Sequence, residues 1–532
     1  MKLPEWYKVK GYYHLTAPLP FKIKKARGII QRVTNEKYVS QYAFFPLLHI
    51  NIVERKYKKI PTSEDDMGHP ISKKKNRAHV HLGKNGKWEK TAKVRPLHYA
   101  NHTDALIFSY YAFQLQQSYE LVLKQNSDLN DAVTAYRKVP VEATVGIGEK
   151  IKHKGSVHFA KDVFQEISTR VEQNGDVIVL AFDIKSFFST LCHEHLQSEW
   201  KELLRVNQLP KDHFNVFKAA TQFSFIYRDD LRRKKKKFGR RSAFDERKLA
   251  KIRNKNGFKA YFDSAKDFRE AVRNGDLHVF KNQFRDKSSN KMIGIPQGLP
   301  ISATLANLYL LKFDQSVVKK LVKESGCFYR RYSDDIILLC QKHQIEWVTK
   351  FIEDEMKKYK VQISTEKTET FLFAKNTTSI ESFKWENNEW KKGLPLTYLG
   401  FEFYGDKILI KSTNLSKFYR RMIYSVKSKC RRAKKIAERD GTEPALFINQ
   451  LTRIYRNINL DKAALPRKKI SFHRIETGEY RLKSKTVNAY LKGNYFSYVR
   501  RSAEIMNEPR ILNQIKKEKS IFNKAIQKHL TP

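Results

Sequence analysis

The chain combines short, continuous runs of apolar residues with longer stretches in which apolar positions recur at helical spacing. Val177–Phe182, Cys327–Tyr329 and Ile336–Cys340 are apolar runs of strand length, rich in β-branched or aromatic residues. Runs of this kind are typical of strands that are buried on both faces. They predict a sheet whose strands come from the middle of the chain.

Helical patterns flank these runs. Residues 91–175 are largely helical by pattern, and the chain turns helical again after Ile410. In the second stretch, apolar residues fall near one stripe of a helix while basic residues occupy the other faces. The stripe consists of Phe418, Met422, Val426 and Ala433. It predicts core packing, and the basic faces predict exposed positions.

Acidic residues stand at the ends of the predicted strands. Asp334 and Asp335 lie between two apolar runs, which predicts a hairpin with two carboxylates at its turn. Asp183 ends the run Val177–Phe182, at the position where an α/β sheet places ligand chemistry. A solvated turn without function is the alternative for the hairpin alone. The third acid argues against it, because close carboxylates repel each other unless a partner neutralises them.

Pairing of these strands would bring the three carboxylates together. Such a group suits two Mg²⁺ ions, hard cations that prefer carboxylate oxygens, with Mn²⁺ as the alternative ion. Two ions of this kind activate an attacking hydroxyl and stabilise a leaving pyrophosphate in an in-line displacement. The sequence therefore predicts a two-metal site for phosphoryl chemistry.

A loop that contains glycine lies between the two acidic segments. It runs over Gly294–Pro300, and Ile301–Asn307 after it consists mostly of small and apolar residues. Glycine lets the backbone approach a ligand closely, and a helix of small residues packs tightly. An ordinary loop before a core helix is the alternative interpretation.

Together these segments resemble the sequence motifs of reverse transcriptases, in the order that this family shows. The resemblance covers roughly residues 90–410 and is specific, because five motifs follow one another. Phe182–Phe188 looks like motif A, Ile295–Ser302 like motif B, Tyr332–Asp335 like motif C, Ser364–Glu369 like motif D and Tyr398–Phe403 like motif E. Val94–Leu97 and Ala135–Val139 are similar to the motifs of the fingers.

The resemblance implies an α+β, right-hand polymerase fold. Its parts would be the fingers, a palm made of a small antiparallel sheet backed by helices, and an α-helical, thumb-like C-terminal region. The implied domains are an N-terminal extension at 1–90, fingers and palm at 91–410 with an insertion at about 226–290, and a helical basic region at 411–532. Within the extension, the polar stretch Thr62–Asn76 predicts an exposed loop.

The resemblance also implies roles for single residues. Asp183 and Asp334 would be the principal metal ligands, with Asp335 completing the acidic cluster and the Ile184 carbonyl as a further ligand. Lys367 would protonate the leaving pyrophosphate, and the Phe188 ring would lie under the sugar and exclude a 2′-hydroxyl. A surface lysine and a core aromatic residue are the alternatives for these two. Contacts to the triphosphate and the base are assigned to Arg95, Arg137, Lys185, Gln297 and Gly298.

The charge of the chain indicates its partners. Lys and Arg number 104 against 55 Asp and Glu, which gives a formal net charge of +49. An imbalance of this size indicates a polyanion, and 26 Tyr and 34 Phe supply rings on which single-stranded bases stack. The charge therefore indicates nucleic acid, with an anionic membrane surface as the other candidate, although no single amphipathic anchor stands out. The resemblance to reverse transcriptases implies RNA, a DNA product and dNTPs as partners, and no membrane.

The four cysteines form no Cys-x-x-Cys pair. They are Cys192, Cys327, Cys340 and Cys430. This spacing predicts inert thiols in the core and a reducing, cytoplasmic location, with neither a zinc site nor disulfides. No apolar stretch approaches the length of a membrane span, and the first residues do not read as a signal peptide.

Among reverse transcriptases, the chain looks most like the stand-alone bacterial enzymes of phage defence and abortive infection. His102–Tyr111, Ala135–Val139 and the helical C-terminal segment carry this resemblance. It implies an antiviral function and, by analogy with individual relatives, a dedicated non-coding RNA, a protein hydroxyl as primer, or a homo-oligomer. A group II intron-type enzyme, a retron-type enzyme and a template-independent DNA polymerase on the same fold are the alternatives.

Single residues argue against two further classes of protein. An RNA-dependent RNA polymerase shares the palm, but Phe188 argues against it because such enzymes need room for a 2′-hydroxyl. A non-catalytic nucleic-acid-binding protein on a decayed polymerase fold is the other class. The intact set Asp183, Asp334 and Asp335 argues against it.

The basic run Arg232–Arg241 in the insertion is interpreted either as a solvated loop or as a nucleic-acid clamp. If it is a clamp, replacing Arg232–Lys237 by glutamine weakens RNA binding. The slope of the logarithm of the binding constant against the logarithm of salt concentration then falls by about one unit per lost phosphate contact. Fluorescence anisotropy on a labelled RNA over a salt series measures this slope. An unchanged slope would identify the run as a loop that does not touch nucleic acid.

Overall fold

The computed structural model describes residues 3–16, 19, 23–55, 58–59, 77–78, 80–82, 88–90, 92–141, 152–231, 260–262, 264–456, 464–474, 480–490 and 493–530. The predicted loop Thr62–Asn76 and the basic run Arg232–Arg241 lie entirely outside these residues, and so does part of the predicted insertion at about 226–290. Those interpretations stay predictions.

The strands are short, apart from a few of seven residues or more. In chain order they are β1 Leu47–Arg55, β2 Lys58–Lys59, β3 Arg77–Ala78, β4 Val80–Leu82, β5 Trp88–Lys90, β6 Ala92–Tyr99, β7 Val177–Asp183, β8 Ser224–Tyr227, β9 Phe280–Lys281, β10 Phe328–Tyr332, β11 Asp335–Cys340, β12 Glu369–Lys375, β13 Ile380–Glu386, β14 Glu389–Lys392, β15 Leu396–Tyr398, β16 Phe401–Phe403, β17 Ile408–Ile410, β18 Ala464–Arg474 and β19 Tyr480–Tyr490.

The helices vary more in length. They are α1 Ile23–Val33, α2 Glu36–Ser40, α3 His102–Lys124, α4 Ser127–Ala132, α5 Ser156–Asn174, α6 Phe187–Thr190, α7 His193–Leu204, α8 Lys211–Thr221, α9 Ala265–Arg273, α10 Ser302–Tyr309, α11 Leu311–Val317, α12 Ile345–Lys358, α13 Ser412–Asp440, α14 Asn449–Tyr455, α15 Tyr495–Met506, α16 Arg510–Asn513 and α17 Glu518–Leu530. A π-helix covers Val318–Lys323, and 3₁₀ helices cover Lys342–Gln344 and Thr365–Lys367.

The chain divides into two compact units that alternate along the sequence. The first unit contains Met1–Gln125, Ser186–Leu311 and Tyr359–Val361, and the second contains Asn126–Lys185, Lys312–Lys358 and Gln362–Pro532. The three domains predicted from the sequence are a different division of the chain, and they stay a prediction.

The second unit is built around a six-stranded sheet with the strand order β10-β11-β7-β12-β13-β14. Strand β7 lies at its centre and pairs antiparallel with β11 on one side and with β12 on the other. Its first four residues, Val177–Leu180, are buried, because neighbouring strands cover both edges and side chains cover both faces. The apolar runs of the sequence therefore form the strands that they predict.

Three phenylalanine rings tie the sheet to the elements that back it. Phe403 of β16 stacks on Phe164 of α5 with ring centroids 4.8 Å apart, and on Phe373 of β12 at 5.2 Å. All three side chains are buried. Offset aromatic packing of this kind adds to the free energy gained by burying the rings. The second unit thus holds its central sheet against α5 with one continuous apolar core.

The first unit contains a sheet with the order β6-β1-β8-β9. Strand β6 pairs antiparallel with β1 from Leu48 opposite Tyr99 to Arg55 opposite Ala92. Here the expected helical pattern of residues 91–175 is wrong, although α3, α4 and α5 follow it. Strand β6 alternates small, apolar and basic residues, and its pairing depends on a partner 37 to 51 positions earlier in the chain.

Helix α13 confirms the predicted apolar stripe in the C-terminal region. Met422, Val426 and Ala433 are buried, and this face packs against α17, where Phe522 is buried. Phe418 is half-buried and stacks on Tyr495 with ring centroids 4.3 Å apart. The hairpin of β18 and β19 interrupts the helical region and was not predicted. Its strands carry many Lys and Arg residues and form no apolar run.

All four cysteines are buried and none forms a disulfide, as the sequence predicts. Burial raises the pKa of the Cys340 thiol to about 12 and also raises the pKa of Cys327 and Cys430. A raised pKa keeps these thiols protonated and unreactive. Among the helices that the structure describes, none has both the length and the apolar character needed to cross a bilayer.

Candidate active site

The register of the central sheet brings the predicted acids together. Asp183, the last residue of β7, lies directly opposite Asp335, the first residue of β11. Asp334 precedes Asp335 in the turn that joins β10 to β11, where Tyr332 pairs with Asp335. Side chains directly opposite each other in an antiparallel pair have Cβ atoms about 5 Å apart. Three carboxylates are therefore concentrated at one end of β7 and β11.

The turn at this end is tight and conformationally costly. Only Ser333 and Asp334 separate the paired residues Tyr332 and Asp335. Ser333 is buried and has φ +61°, a left-handed backbone conformation that favours glycine. A serine held there costs about 1–3 kcal/mol, so surrounding contacts must stabilise it. The turn thus fixes the backbone position of Asp334.

The electrostatics of the three acids show the effect of their crowding. Burial, followed by the charge of Asp183, raises the pKa of Asp334. Burial raises the pKa of Asp335 as well, followed by the charges of Asp334 and Asp183. Asp335 also keeps an exposed surface, so solvent moderates the effect. Both shifts mean that the ionised carboxylates are destabilised where they lie and that a nearby positive charge would stabilise them.

Lys367 is a cation that contacts this cluster directly. It ends the 3₁₀ helix Thr365–Lys367, and its ammonium forms an ion pair with Oδ2 of Asp183. The segment before it is fixed by the backbone, because the Ser364 N–H donates to the Asp183 carbonyl at 2.7 Å. The lysine of the predicted motif D therefore lies at the acids, as its predicted role requires.

Ile184 and Lys185 continue the backbone past Asp183. The Ile184 N–H donates to the Asp334 carbonyl at 3.1 Å, and the Lys185 N–H donates to the Gln362 carbonyl at 2.8 Å. Ile184 is buried, whereas Lys185 is exposed. The backbone around Asp183 is therefore held on both sides, and the Lys185 side chain faces solvent.

The donor chemistry of the cluster suits Mg²⁺, since hard cations prefer several carboxylate oxygens and backbone carbonyls. As the side chains stand, however, the described part of the chain has no group of three or more His, Cys, Asp or Glu residues arranged to hold a metal ion. One Asp183 oxygen is engaged by Lys367 instead. The crowding of the three carboxylates, which raises the pKa of both Asp334 and Asp335, is the observation that fits a divalent cation as their partner.

Phe188 and the predicted motif B belong to the first unit. Phe188 is half-buried, while its neighbour Phe187 is buried. The Phe188 carbonyl accepts from the Ile295 N–H at 2.7 Å, which joins the end of motif A to the start of motif B. The ring that fills the core is therefore that of Phe187, and Phe188 keeps an accessible surface.

Gln297 and Gly298 lie in a turn against β6. The His98 N–H donates to the Gln297 carbonyl at 2.8 Å. Gly298 has φ +112°, and a Cβ placed there would lie 2.4 Å from the His98 carbonyl oxygen. Only glycine fits this approach. The loop thus has a fixed shape, and the packing of the fold itself requires glycine at this position.

The two predicted phosphate-binding arginines have intramolecular partners. In the first unit, Arg95 forms an ion pair with Glu54 at 2.8 Å. In the second unit, the Arg137 guanidinium donates to the carbonyls of Asn130 and Val133 at 2.5 and 2.6 Å. Arg95 is half exposed, so a phosphate can compete for it, whereas Arg137 is held by its own segment.

Sequence reasoning missed Arg331 and Asp314, which form a fully buried ion pair behind the turn. The signal was present as charged residues beside apolar or aromatic ones: Arg331 directly precedes Tyr332 in a strand, and Asp314 directly follows Phe313 in a helix. Tyr136 was also missed as a contact, although it lies inside the predicted segment Ala135–Val139. Its hydroxyl lies 3.1 Å from the Ser333 hydroxyl.

Comparison with known proteins agrees with this architecture. Residues 241–403 match the family model of the reverse transcriptase (RNA-dependent DNA polymerase). None of the curated proteins matches the chain. The match spans motifs B to E as predicted from the sequence, while Asp183 and Phe188 precede it.

Solved structures of telomerases are similar at low sequence identity. An apo telomerase from Candida tropicalis, truncated from its C-terminal domain, shares 12% identity with a TM-score of 0.35, covering 61% of this chain and 53% of that one. A telomerase from Candida albicans in complex with a fragment of telomeric RNA shares 14% identity with a TM-score of 0.33, covering 63% and 48%. The chain thus spans about half the length of these structures.

The family match and the strand order confirm two predictions. The chain has the right-hand polymerase fold, with an α+β architecture of small sheets and helices. The matched residues carry a domain of the predicted enzyme class, RNA-directed DNA polymerase.

The close approach at Gly298 yields a test of the loop. Gly298→Ala places a methyl group against the His98 carbonyl, so we expect a loss of stability of about 1–3 kcal/mol beyond the cost of the backbone conformation alone. Gly275→Ala is the matched control, because Gly275 lies in the same unit with φ +76° and has no atom within 4 Å of the added Cβ. Urea unfolding compares the two. Equal losses would show that the contact with His98 does not exist in solution.

Proposed function

We propose that this chain is an RNA-directed DNA polymerase that extends a DNA strand with dNTPs. The observation that carries the proposal is the placement of Asp183 opposite Asp335, with Asp334 in the adjoining turn. The reverse transcriptase match over residues 241–403, which includes Asp334 and Asp335 but not Asp183, supports the same reaction. A solvated acidic turn would not need a strained, buried serine beside it.

Asp183, Asp334 and Asp335, together with the Ile184 carbonyl, would hold two Mg²⁺ ions. When bound, the ions lower the pKa of the attacking hydroxyl and stabilise the charge of the leaving pyrophosphate. The chain contributes a fixed arrangement of carboxylates, since the strand register and the turn hold the backbone of each. Lys367 lies beside Asp183 and would release that contact to protonate the pyrophosphate.

We assign binding of the incoming nucleotide to residues of the motifs that precede and follow these acids along the sequence. Arg95 and Lys185 expose cationic groups for the triphosphate, and Arg137 would have to exchange its intramolecular partners for a phosphate. Gln297 and Gly298 would contact the nucleotide and the templating base. The fixed shape of their loop supports this role, because a preorganised loop loses little entropy on binding.

Phe188 would exclude ribonucleotides by a steric clash with the 2′-hydroxyl. Its partial exposure supports this role, since a ring that only filled the core would be buried like that of Phe187. Selection against ribose also separates this proposal from an RNA-dependent RNA polymerase. Incorporation of dNTPs and NTPs, measured side by side, distinguishes the two classes.

The biological setting we infer is phage defence in bacteria, in the cytoplasm. The motif resemblance to defence-associated and abortive-infection enzymes supports it, and four buried thiols without a disulfide suit a reducing compartment. The net charge of +49 supports RNA as template or scaffold and DNA as product. Sequencing the nucleic acid that purifies with the protein tests this setting, because a discrete small RNA is the expected result.

The acids give the first test of the reaction. Asp183→Asn, or Asp334→Asn combined with Asp335→Asn, should abolish dNTP incorporation while thermal unfolding shows a folded protein, because an amide is a far poorer Mg²⁺ ligand than a carboxylate. Asp176→Asn is the matched control. Asp176 is exposed just before the other end of β7, and its replacement should leave synthesis unchanged. Synthesis that survives in the folded Asp183→Asn variant would overturn the metal assignment.

Phe188 gives the second test. Phe188→Val removes the ring below the sugar, so NTP incorporation should rise relative to dNTP incorporation by roughly ten- to a hundredfold. Phe187→Leu is the control, since it alters the neighbouring buried ring and should change stability without changing sugar selection. The ratio of kcat/KM for dNTP and NTP is the measurement. A ratio that does not move in Phe188→Val would place sugar selection elsewhere.

A further inference from the structure

Arg331 is a fully buried arginine in the strand that leads into the acidic turn. Its relative exposure is 0%. Nε and Nη2 donate to Oδ1 and Oδ2 of Asp314 at 2.8 and 2.5 Å, which is a bidentate ion pair. Charged residues are almost never fully buried without such a partner. The pair therefore accounts for the burial, but not for the presence of charge at this position.

Stability alone does not explain the pair. Removing two charges from water costs about as much as their attraction returns, and apolar residues of similar volume often stabilise a core at least as well. Asp314 also accepts from the Tyr329 hydroxyl at 2.6 Å, so both of its oxygens have donors. A hydrogen-bonded polar network of this kind fixes the orientation of its members.

Another contact of Arg331 reaches the turn itself. Nη1 donates to the Ser333 carbonyl at 3.2 Å, and this carbonyl belongs to the peptide that leads into Asp334. Ser333 has the left-handed φ of +61°. The guanidinium therefore binds the strained peptide directly, and Asp314 sets the direction from which it does so.

The segment before Arg137 holds the same strand and turn from another side. The Thr134 N–H and its hydroxyl both donate to the Arg331 carbonyl, at 3.1 and 3.0 Å. The Tyr136 hydroxyl lies 3.1 Å from Oγ of Ser333. Arg331 is thus fixed at its backbone and at its side chain.

We propose that Arg331 and Asp314 are positioning residues that hold the Ser333 peptide, and through it the Asp334 carboxylate, in the geometry needed for catalysis. Helix α11, which carries Asp314, begins two residues after the end of α10, the helix that follows motif B. The pair thereby connects the chain segment after motif B to the turn of motif C. The catalytic part of this inference rests on the proposed polymerase function.

The test replaces the pair by apolar residues of similar volume, Arg331→Met combined with Asp314→Leu. A pair that serves only stability predicts a folded variant with normal activity, because the core stays filled. A positioning pair predicts a folded variant whose turn is loose. Turnover should then fall about ten- to a hundredfold, and the Mg²⁺ concentration for half-maximal activity should rise by a similar factor.

Hydrogen exchange gives a readout that does not depend on activity. The Ile184 N–H donates to the Asp334 carbonyl, so its protection reports the order of the turn. We expect faster exchange at Ile184 and in the peptide containing residues 332–336 of the double variant, with unchanged exchange in α5. If the wild type incorporates no dNTP, the polymerase function fails, and exchange still decides whether the pair holds the turn.

Single variants cover the case in which the double variant does not fold. Arg331→Lys keeps a positive charge beside Asp314 but cannot bind both Asp314 and the Ser333 carbonyl with a planar fork. Tyr329→Phe removes a partner of Asp314 and leaves Arg331 intact. Faster exchange at the turn in Arg331→Lys, and little change in Tyr329→Phe, is the expected pattern. Wild-type exchange at the turn in Arg331→Lys or in the folded double variant would overturn the proposal.

Discussion

The antiparallel pairing of β7 between β11 and β12 is the constraint on which the candidate site depends. The pairing sets Asp183 opposite Asp335, and the same register buries Val177 and Val179 in the core. A slip by one residue would turn every β7 side chain to the opposite face of the sheet. The apolar core therefore enforces the register that places Asp183 opposite Asp335.

Crowded carboxylates carry an energetic cost that the rest of the second unit offsets. The pKa of Asp334 and of Asp335 is raised because the carboxylates lose hydration and repel each other in this cluster. Lys367 neutralises part of the charge, and the buried Arg331–Asp314 pair keeps the turn in place without adding net charge. Function and folding make opposite demands here, because a relaxed turn would be more stable but would not concentrate negative charge.

The sequence predicted those parts of the fold that depend on local pattern. β7, β11 and the apolar stripe of α13 follow from continuous runs or helical spacing, and the acids were recognisable because they end apolar strands. β6, the β18–β19 hairpin and the Arg331–Asp314 pair were not predicted. The pairing of β6 depends on a strand 37 to 51 positions earlier, and the partner of Arg331 lies 17 positions earlier. The β18 and β19 strands are neighbours in the chain but contain no apolar run that would identify them. The roles of Arg95 and Arg137 stay predictions, since their present partners are intramolecular.

The four buried thiols have a consequence for following the motions of this protein. Only the thiolate reacts with alkylating reagents, so a buried cysteine reacts when the structure around it opens. Cys192 belongs to the first unit, Cys327 and Cys340 flank the β10–β11 hairpin, and Cys430 lies in α13. Labelling kinetics followed by mass spectrometry would therefore report the local opening of the first unit, the palm hairpin and the C-terminal helix separately. The natural sequence already contains these reporters, and no engineered probe is needed.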